Sequence, residues 1–395
     1  MNAYVLSWLD LVARWFHFVA GISWIGASFY FVWLDNHLVA PVKREDVEDG
    51  VFGELWSVHG GGFYHNQKYL TGPRHEPLTE HLHWFKWEAY TTWLSGIALM
   101  ALVYWVGARA FLIDPSVMAL TPGTAIAISI ASLLLGWFIY DGLCRLFERQ
   151  PRVLALSVAV FLVVTSWALY HIFSGRAAFL HVGAIIGTIM VANVFFVIIP
   201  GQRRMLAQIR AGQHVDPRPG QLGKMRSVHN TYLTLPALFL MLSYHYPMTY
   251  SGPYGWLVLI AIAMAGVLVR YFFVLTHKAR IVWALPAAAA IVIAATAIAL
   301  APRGAANAAP VAFAQVQPIF AQRCAVCHAA HPTQPGFAAA PDGVLLDTPG
   351  HIAQNATRVD AQAVQSHAMP LGNVTHMTDA ERTLVGAWID QGAKI

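Results

Sequence analysis

The sequence predicts an all-α protein in two parts: a polytopic membrane helix bundle of about eight spans, then a small soluble helical domain. Three observations predict it. Of 395 residues, 57% are hydrophobic and only 11% charged, where an ordinary soluble domain carries about 25% charge, so much of the surface must face lipid. Eight apolar runs approach the roughly 20 residues that a helix needs to cross a bilayer core. After Ala301 the chain turns abruptly to PRGAANAAPVA, a small-residue stretch that reads as a linker.

The apolar runs lie at about 11–34, 87–107, 122–141, 152–173, 179–199, 230–247, 254–275 and 281–301. The sixth contains Pro236 and ends near His245, and a proline there kinks a span rather than removing it. No basic segment or small-residue cleavage site accompanies the first run, which is therefore expected to be retained as a span. The domain plan is a membrane part over 1–301, a linker over 302–312 and a soluble domain over 313–395.

Loop charge sets the topology, since Lys and Arg accumulate on the cytoplasmic side. Loops after odd-numbered spans carry Lys43, Arg44, Lys68, Arg74, Lys86, then Arg145, Arg149, Arg152, then Arg203, Arg204, Arg210, Arg218, Lys224, Arg226, then Lys278 and Arg280. The other side has only Arg109, Arg176 and Arg303. Both termini are thus expected outside the cytoplasm. The formal charge of +5 is dispersed through these loops, so it marks topology and not a nucleic-acid surface.

Cysteine use is sparse. Cys144 stands alone and without an assigned role, and Cys324-Ala325-Val326-Cys327-His328 is the C-x-x-C-H pattern of c-type haem attachment. Two thiols about one helical turn apart reach two vinyl groups of one haem, and the adjacent imidazole meets the iron. A zinc half-site or a redox pair is the alternative. Context favours haem: residues 316–320 predict a helix leading into the motif, with Pro318 in its first turn. Thr378-Asp379-Ala380-Glu381 has the capping-box pattern, followed by Leu384, Val385 and Trp388 at helical spacing and Gly392 as a stop. Met369-Pro370 offers a thioether for the sixth position, with Met377 next and His331, His351 and His367 behind it. This part resembles a class I cytochrome c domain over its full length.

Ionisable residues at membrane depth are functional hypotheses by default. Arg14 and His17 share one face of span one, and His171, His181 and His245 fall at the outer ends of spans four, five and six. Paired across helices, His17, His171, His181 and His245 would ligate a b-type haem. Singly, the last three equally fit a headgroup interface. A second cluster lies on the cytoplasmic side: residues 56–64, 80–90 and 226–232. Glu88, Arg226, His229 and Asn230, with Trp84 and Tyr90 as aromatic walls, make a pocket suited to a flat polar heterocycle. His59-Gly60-Gly61-Gly62 has the look of a hydrolase oxyanion loop, but no G-x-S-x-G accompanies it. There is no Walker A, G-x-G-x-x-G or H-E-x-x-H pattern.

Arg14-Trp15-Phe16-His17 with 21–30, the stretch 82–96, Gly187-Thr188-Ile189-Met190-Val191-Ala192-Asn193-Val194, and 226–245 together resemble the bacterial membrane-bound urate oxidase (urate hydroxylase) family, in which an eight-span domain is joined to a cytochrome c. The resemblance covers nearly the whole chain. It implies a bacterial inner-membrane oxidoreductase, with N-terminus and cytochrome c domain in the periplasm, that converts urate to 5-hydroxyisourate with oxygen from water. It also implies that electrons leave through the tail haem to a respiratory cytochrome or terminal oxidase, without hydrogen peroxide.

The pocket roles rest on the residues alone. Arg226 and Asn230 would bind the ring, His229 or Glu88 would take the proton, and Trp84 or Tyr90 would stack. A cytoplasmic pocket and a periplasmic haem would be about 30 Å of hydrocarbon apart. That separation requires either the intermediate haem or a pocket nearer the outer face. A quinol-oxidising respiratory subunit and a non-enzymatic electron-transfer protein are the competing functions.

Overall fold

A computed structural model describes residues 3–75, 77–301, 309–365 and 367–395. The chain opens with helix α1 (Ala3–His37), the short α2 (Arg44–Asp49) and a hairpin of β1 (Val51–His59) and β2 (Gly62–Tyr69). Helix α3 (Trp87–Leu99) continues through π-helical turns at Met100–Trp105 and Ala108–Leu112. Then come α4 (Pro122–Leu146), α5 (Pro151–Tyr170) and α6 (Gly175–Ala192), which runs through a π-turn at Asn193–Ile198 into α7 (Ile199–Arg210). Helices α8 (Arg218–Leu242), α9 (Gly255–Thr276) and α10 (Ala284–Ala299) complete the membrane part.

Five helical stretches are long and apolar enough to cross a membrane: Trp8–His37, Pro122–Leu146, Pro151–Tyr170, Gly175–Arg210 and Gly255–Thr276. The other three expected spans are helical as well but differ in kind. The α10 helix has 16 residues, α3 gives way to π-turns, and the first half of α8 is polar. The fifth run is corrected most: it is one continuous helix of 36 residues, about 54 Å at 1.5 Å per residue. Its last turns carry Arg203, Arg204 and Arg210 beyond any hydrocarbon core.

The bundle core lies where α6 packs on α4 and α8. Two glycines permit the close approach, because a Cβ on Gly136 would lie 2.7 Å from Ile185 and one on Gly183 would lie 2.9 Å from Leu240. Local signals start two of these helices. The Thr121 hydroxyl accepts from the Thr124 N–H ahead of Pro122, and Ser174 accepts from the Ala177 N–H.

The hairpin corrects an all-α expectation. Val58 pairs with Phe63 and His59 with Gly62, and Gly60 and Gly61 have φ of +58° and +82°. Two successive positive φ values make the reversal that joins twisted strands, and glycine adopts them without penalty. The His-Gly-Gly-Gly motif is therefore a turn, not an oxyanion loop.

Residues 302–308 of the expected linker lie outside the described residues. The tail has its own core: α11 (Phe313–Ile319), with a π-turn at Phe320–Cys324, meets the C-terminal helix α14 (Asp379–Asp390). Between them lie α12 (Pro349–Gln354) and α13 (Ala356–Val359). Trp388, 1% exposed, packs against Phe313 and Phe320 where the two helices meet. The capping box closes as expected, with Thr378 N–H donating to Glu381 at 2.7 Å and the Glu381 N–H to the Thr378 hydroxyl at 3.2 Å. Gly372 docks the tail on the 108–113 turn, since a Cβ there would stand 2.7 Å from the Ala110 carbonyl oxygen and 2.8 Å from that of Ile113.

Candidate functional site

Three of the expected pocket residues come together inside the bundle. Arg226, 4% exposed, donates through Nη2 to Asp141 at 2.6 Å and through Nη1 to Asn193 at 3.3 Å. Its guanidinium lies over the Tyr140 ring at 5.2 Å. His229 Nδ1 pairs with the Tyr140 hydroxyl at 2.8 Å and lies 3.9 Å from Cys144 Sγ. Asn230 accepts from Asn193 at 2.9 Å and donates to the Met190 carbonyl at 2.9 Å. The sequence reading missed Tyr140, Asp141 and Asn193. Their signal was an acid and an amide within apolar runs, and Asn193 opens a π-turn, a distortion common at functional positions. Apart from Arg226 Nε, which is buried without a partner, these groups satisfy one another and form a network.

Glu88, Trp84 and Tyr90 do not join it. Glu88 Oε1 is 4.0 Å from His83, and its Oε2 is buried without a partner. Tyr90 packs edge-on against Phe195. Trp84 lines a separate trough of about 600 Å³ with His83, Lys86, Arg203 and Arg210. The pocket read from sequence thus comes apart: Arg226, His229 and Asn230 belong to α8 and enter the buried network, while of Trp84, Glu88 and Tyr90, at and before the start of α3, only Trp84 lines the trough.

The four outer histidines do not form a ligand set. His181 is fully buried, with Nδ1 on the Ala177 carbonyl and Nε2 on the Ser129 hydroxyl, both at 2.7 Å, so neither nitrogen is left for iron. His17 Nδ1 lies 3.0 Å from both the Thr92 carbonyl and the Ser95 hydroxyl. His171 is exposed and turns back to the Trp167 carbonyl at 2.7 Å, while exposed His245 lies tilted against the Tyr244 ring with centroids 3.8 Å apart. His17 and His181 find partners on other helices, and His171 and His245 beside themselves in the chain.

Where the tail meets the membrane part there is a larger cavity of about 890 Å³. Phe111, Asp114, Tyr170, Arg176 and Tyr250 line it from the membrane side, and His367, His376, Asp379 and Arg382 from the tail. Arg176 sits at the start of α6, over the rings of Phe111 at 5.1 Å and Tyr244 at 5.5 Å, and its buried Nε has no hydrogen-bond partner. Arg270 in α9 is a buried arginine the sequence reading passed over. It lies 4.1 Å over Phe29 with Nε and Nη2 unpartnered, and the visible signal was a lone cation inside an apolar run.

In the tail, the Cys324–His328 turn is closed by the His328 N–H on the Cys324 carbonyl at 2.9 Å. His328 Nδ1 pairs with the Val344 carbonyl at 3.0 Å, which fixes the ring and leaves Nε2 for iron. Met369, like Cys324 and Val344, packs partly buried against the tail core, whereas Met377 is 3% exposed within it. The Met369 loop is pinned by its N–H on the Gln362 carbonyl at 2.8 Å and by Arg382 on its own carbonyl at 2.6 Å. Burial pushes the Cys324 thiol up to about 12 and raises Cys327 too, the reverse of what a reactive dithiol needs. The turn, with the His328 ring fixed by the Val344 carbonyl, presents the groups a covalent haem requires.

With this geometry in hand, the family comparison is decisive for the membrane part. The family model described as urate oxidase N-terminal matches residues 3–301. The chain belongs to that urate oxidase family. No curated protein and no solved structure matches it. Membership makes an oxidoreductase acting on urate the functional class, and the matched segment contains the buried network, the trough and the membrane wall of the large cavity.

Proposed function

We propose that this protein oxidises urate to 5-hydroxyisourate and delivers the electrons to a c-type haem on its tail. From there they pass to a respiratory cytochrome or terminal oxidase. Urate plus water gives 5-hydroxyisourate, two protons and two electrons, so the new hydroxyl oxygen comes from water and no hydrogen peroxide forms. The substrate class follows from the family. The single observation that carries the electron route is His328, held by the Val344 carbonyl with Nε2 free, on the same turn as Cys324 and Cys327.

Cys324 and Cys327 would hold the haem covalently, with His328 and Met369 as axial ligands; bound there, it supplies a reversible one-electron acceptor, and a thioether ligand raises its potential. The protein's own groups have simpler duties. Urate is flat, electron-rich and anionic at neutral pH, so its site needs a cationic donor, aromatic walls and an acceptor for ring protons. This reading includes eight spans in a bacterial inner membrane, with both termini on the periplasmic side, as the loop charges require.

The test is anaerobic mixing of the purified, oxidised protein with urate while the alpha band of reduced c-type haem is followed. Reduction by urate but not by xanthine or a quinol is expected. A haem that dithionite reduces and urate does not would overturn the proposal.

A further inference from the structure

We propose that the cavity between the outer ends of the membrane helices and the tail is the urate-binding site, with Arg176 as its anion anchor. This rests on the urate reading above and gives that reaction a place.

The cavity, at about 890 Å³, lies within the range of small-molecule sites. Arg176 lacks a counter-charge: among the described residues no carboxylate stands within 4.0 Å of it, and its buried Nε is unsatisfied, as in Arg270, which lies outside this cavity. By contrast Arg14, which lies over the same Tyr244 ring at 5.2 Å, is neutralised by Asp10 at 2.8 Å. A buried donor without a partner is costly unless a ligand meets it, and a guanidinium is suited to a planar anion with adjacent carbonyl oxygens. Phe111, Tyr170 and Tyr250 contribute aromatic surface for a flat ring, and Asp114 contributes an acceptor for its N–H groups.

The opposite wall favours this site over the interior network. Arg382, buried in the tail, lines the cavity and also donates to the Met369 carbonyl at 2.6 Å. One side chain thus links the cavity wall to the loop bearing the axial ligand. A molecule in the cavity touches both domains, and its electrons need not cross the bilayer. The Arg226 network has no tail residue among its members.

The test uses the full-length protein with haem in lipid nanodiscs, measuring equilibrium binding of radiolabelled urate and, separately, the rate of haem reduction by urate. Arg176→Gln is expected to weaken binding at least tenfold, with Arg176→Lys recovering part of the loss. Arg109→Gln removes the same charge at an exposed position outside the cavity and is expected to bind as wild type. Val117→Trp, at an exposed residue lining the cavity, fills the space without touching the arginine and is expected to weaken binding as well. Wild-type affinity in both Arg176→Gln and Val117→Trp would overturn the cavity assignment while leaving urate oxidation standing. A wild-type protein that neither binds urate nor is reduced by it would overturn the function itself.

Discussion

Arg226 Nη2 lies 2.6 Å from Asp141 Oδ1, an ion pair that ties α8 to the last turns of α4 with side-chain exposures of only 5% and 13%. Around it, Asn193, Asn230, Tyr140 and His229 complete one another's hydrogen bonds. Removing one partner of a buried pair leaves an uncompensated charge, at a cost of about 3 kcal/mol. Arg226→Ala is therefore expected to lower the thermal unfolding midpoint in detergent without altering the c-type haem spectrum. Pairing it with Asp141→Asn should restore part of the loss. An unchanged midpoint in the single variant would show that the pair carries no stability.

Haem attachment gives a direct chemical prediction. Cys327→Ala should leave a haem held by one thioether, and Cys324→Ala/Cys327→Ala one that acidified acetone extracts completely. Met369→His is expected to lower the reduction potential, because the thioether ligand is the one that raises it. An unchanged potential would move the sixth ligand to another residue.

The interior histidines predict an outcome for haem content. His181 spends both nitrogens on Ser129 and the Ala177 carbonyl, and Ser129 also receives the Trp105 indole N–H at 2.9 Å. Loss of such a buried partner costs about 1–3 kcal/mol. His181→Ala is expected to reduce stability and leave haem content unchanged, and a pyridine haemochrome assay of the wild type should show c-type haem only. A b-type signal that disappears in His181→Ala would reverse this.

The domain junction is testable at one glycine. Gly372 has φ +56° and meets the Ala110 and Ile113 carbonyl oxygens so closely that no side chain fits. Gly372→Val should push the tail off this turn. Haem reduction by urate would slow by an order of magnitude or more, while reduction by ascorbate, which needs no docking, would proceed as in wild type.

The tail should lose stability in acid. Desolvation pushes the Glu381 carboxyl up, but the Thr378 N–H and the Arg323 guanidinium at 3.0 Å together hold it below the usual carboxylate range. A carboxyl depressed in the folded state contributes fully above its unfolded value of about 4.3, and the contribution is lost as pH falls through the folded value. Unfolding of the tail followed by its haem absorbance is expected to ease below about pH 4, and Glu381→Gln should flatten that dependence. A pH-independent midpoint in wild type would refute the coupling.

Local signals determined much of this protein. Apolar runs near bilayer length marked the membrane helices, since lipid enforces internally bonded backbone and tolerates little charge. Five residues at 324–328 marked the turn proposed to carry haem, because thioether attachment and iron ligation need those groups at that spacing. The Thr378–Glu381 box announced α14 for the same reason: cap, backbone and side chain are all within four residues.

Tertiary structure decided what those groups do. Arg226, His229 and Asn230 looked like an open pocket on one helix, yet Asp141 and Asn193, 85 and 33 residues from Arg226, close it into a network. His181 looked like a ligand until Ser129 on another helix took its second nitrogen. Arg176 looked like a loop cation with topological meaning only. Its place beside a cavity that Arg382 lines from the tail arises where the tail packs on the membrane part, a relation between distant residues that no local pattern encodes.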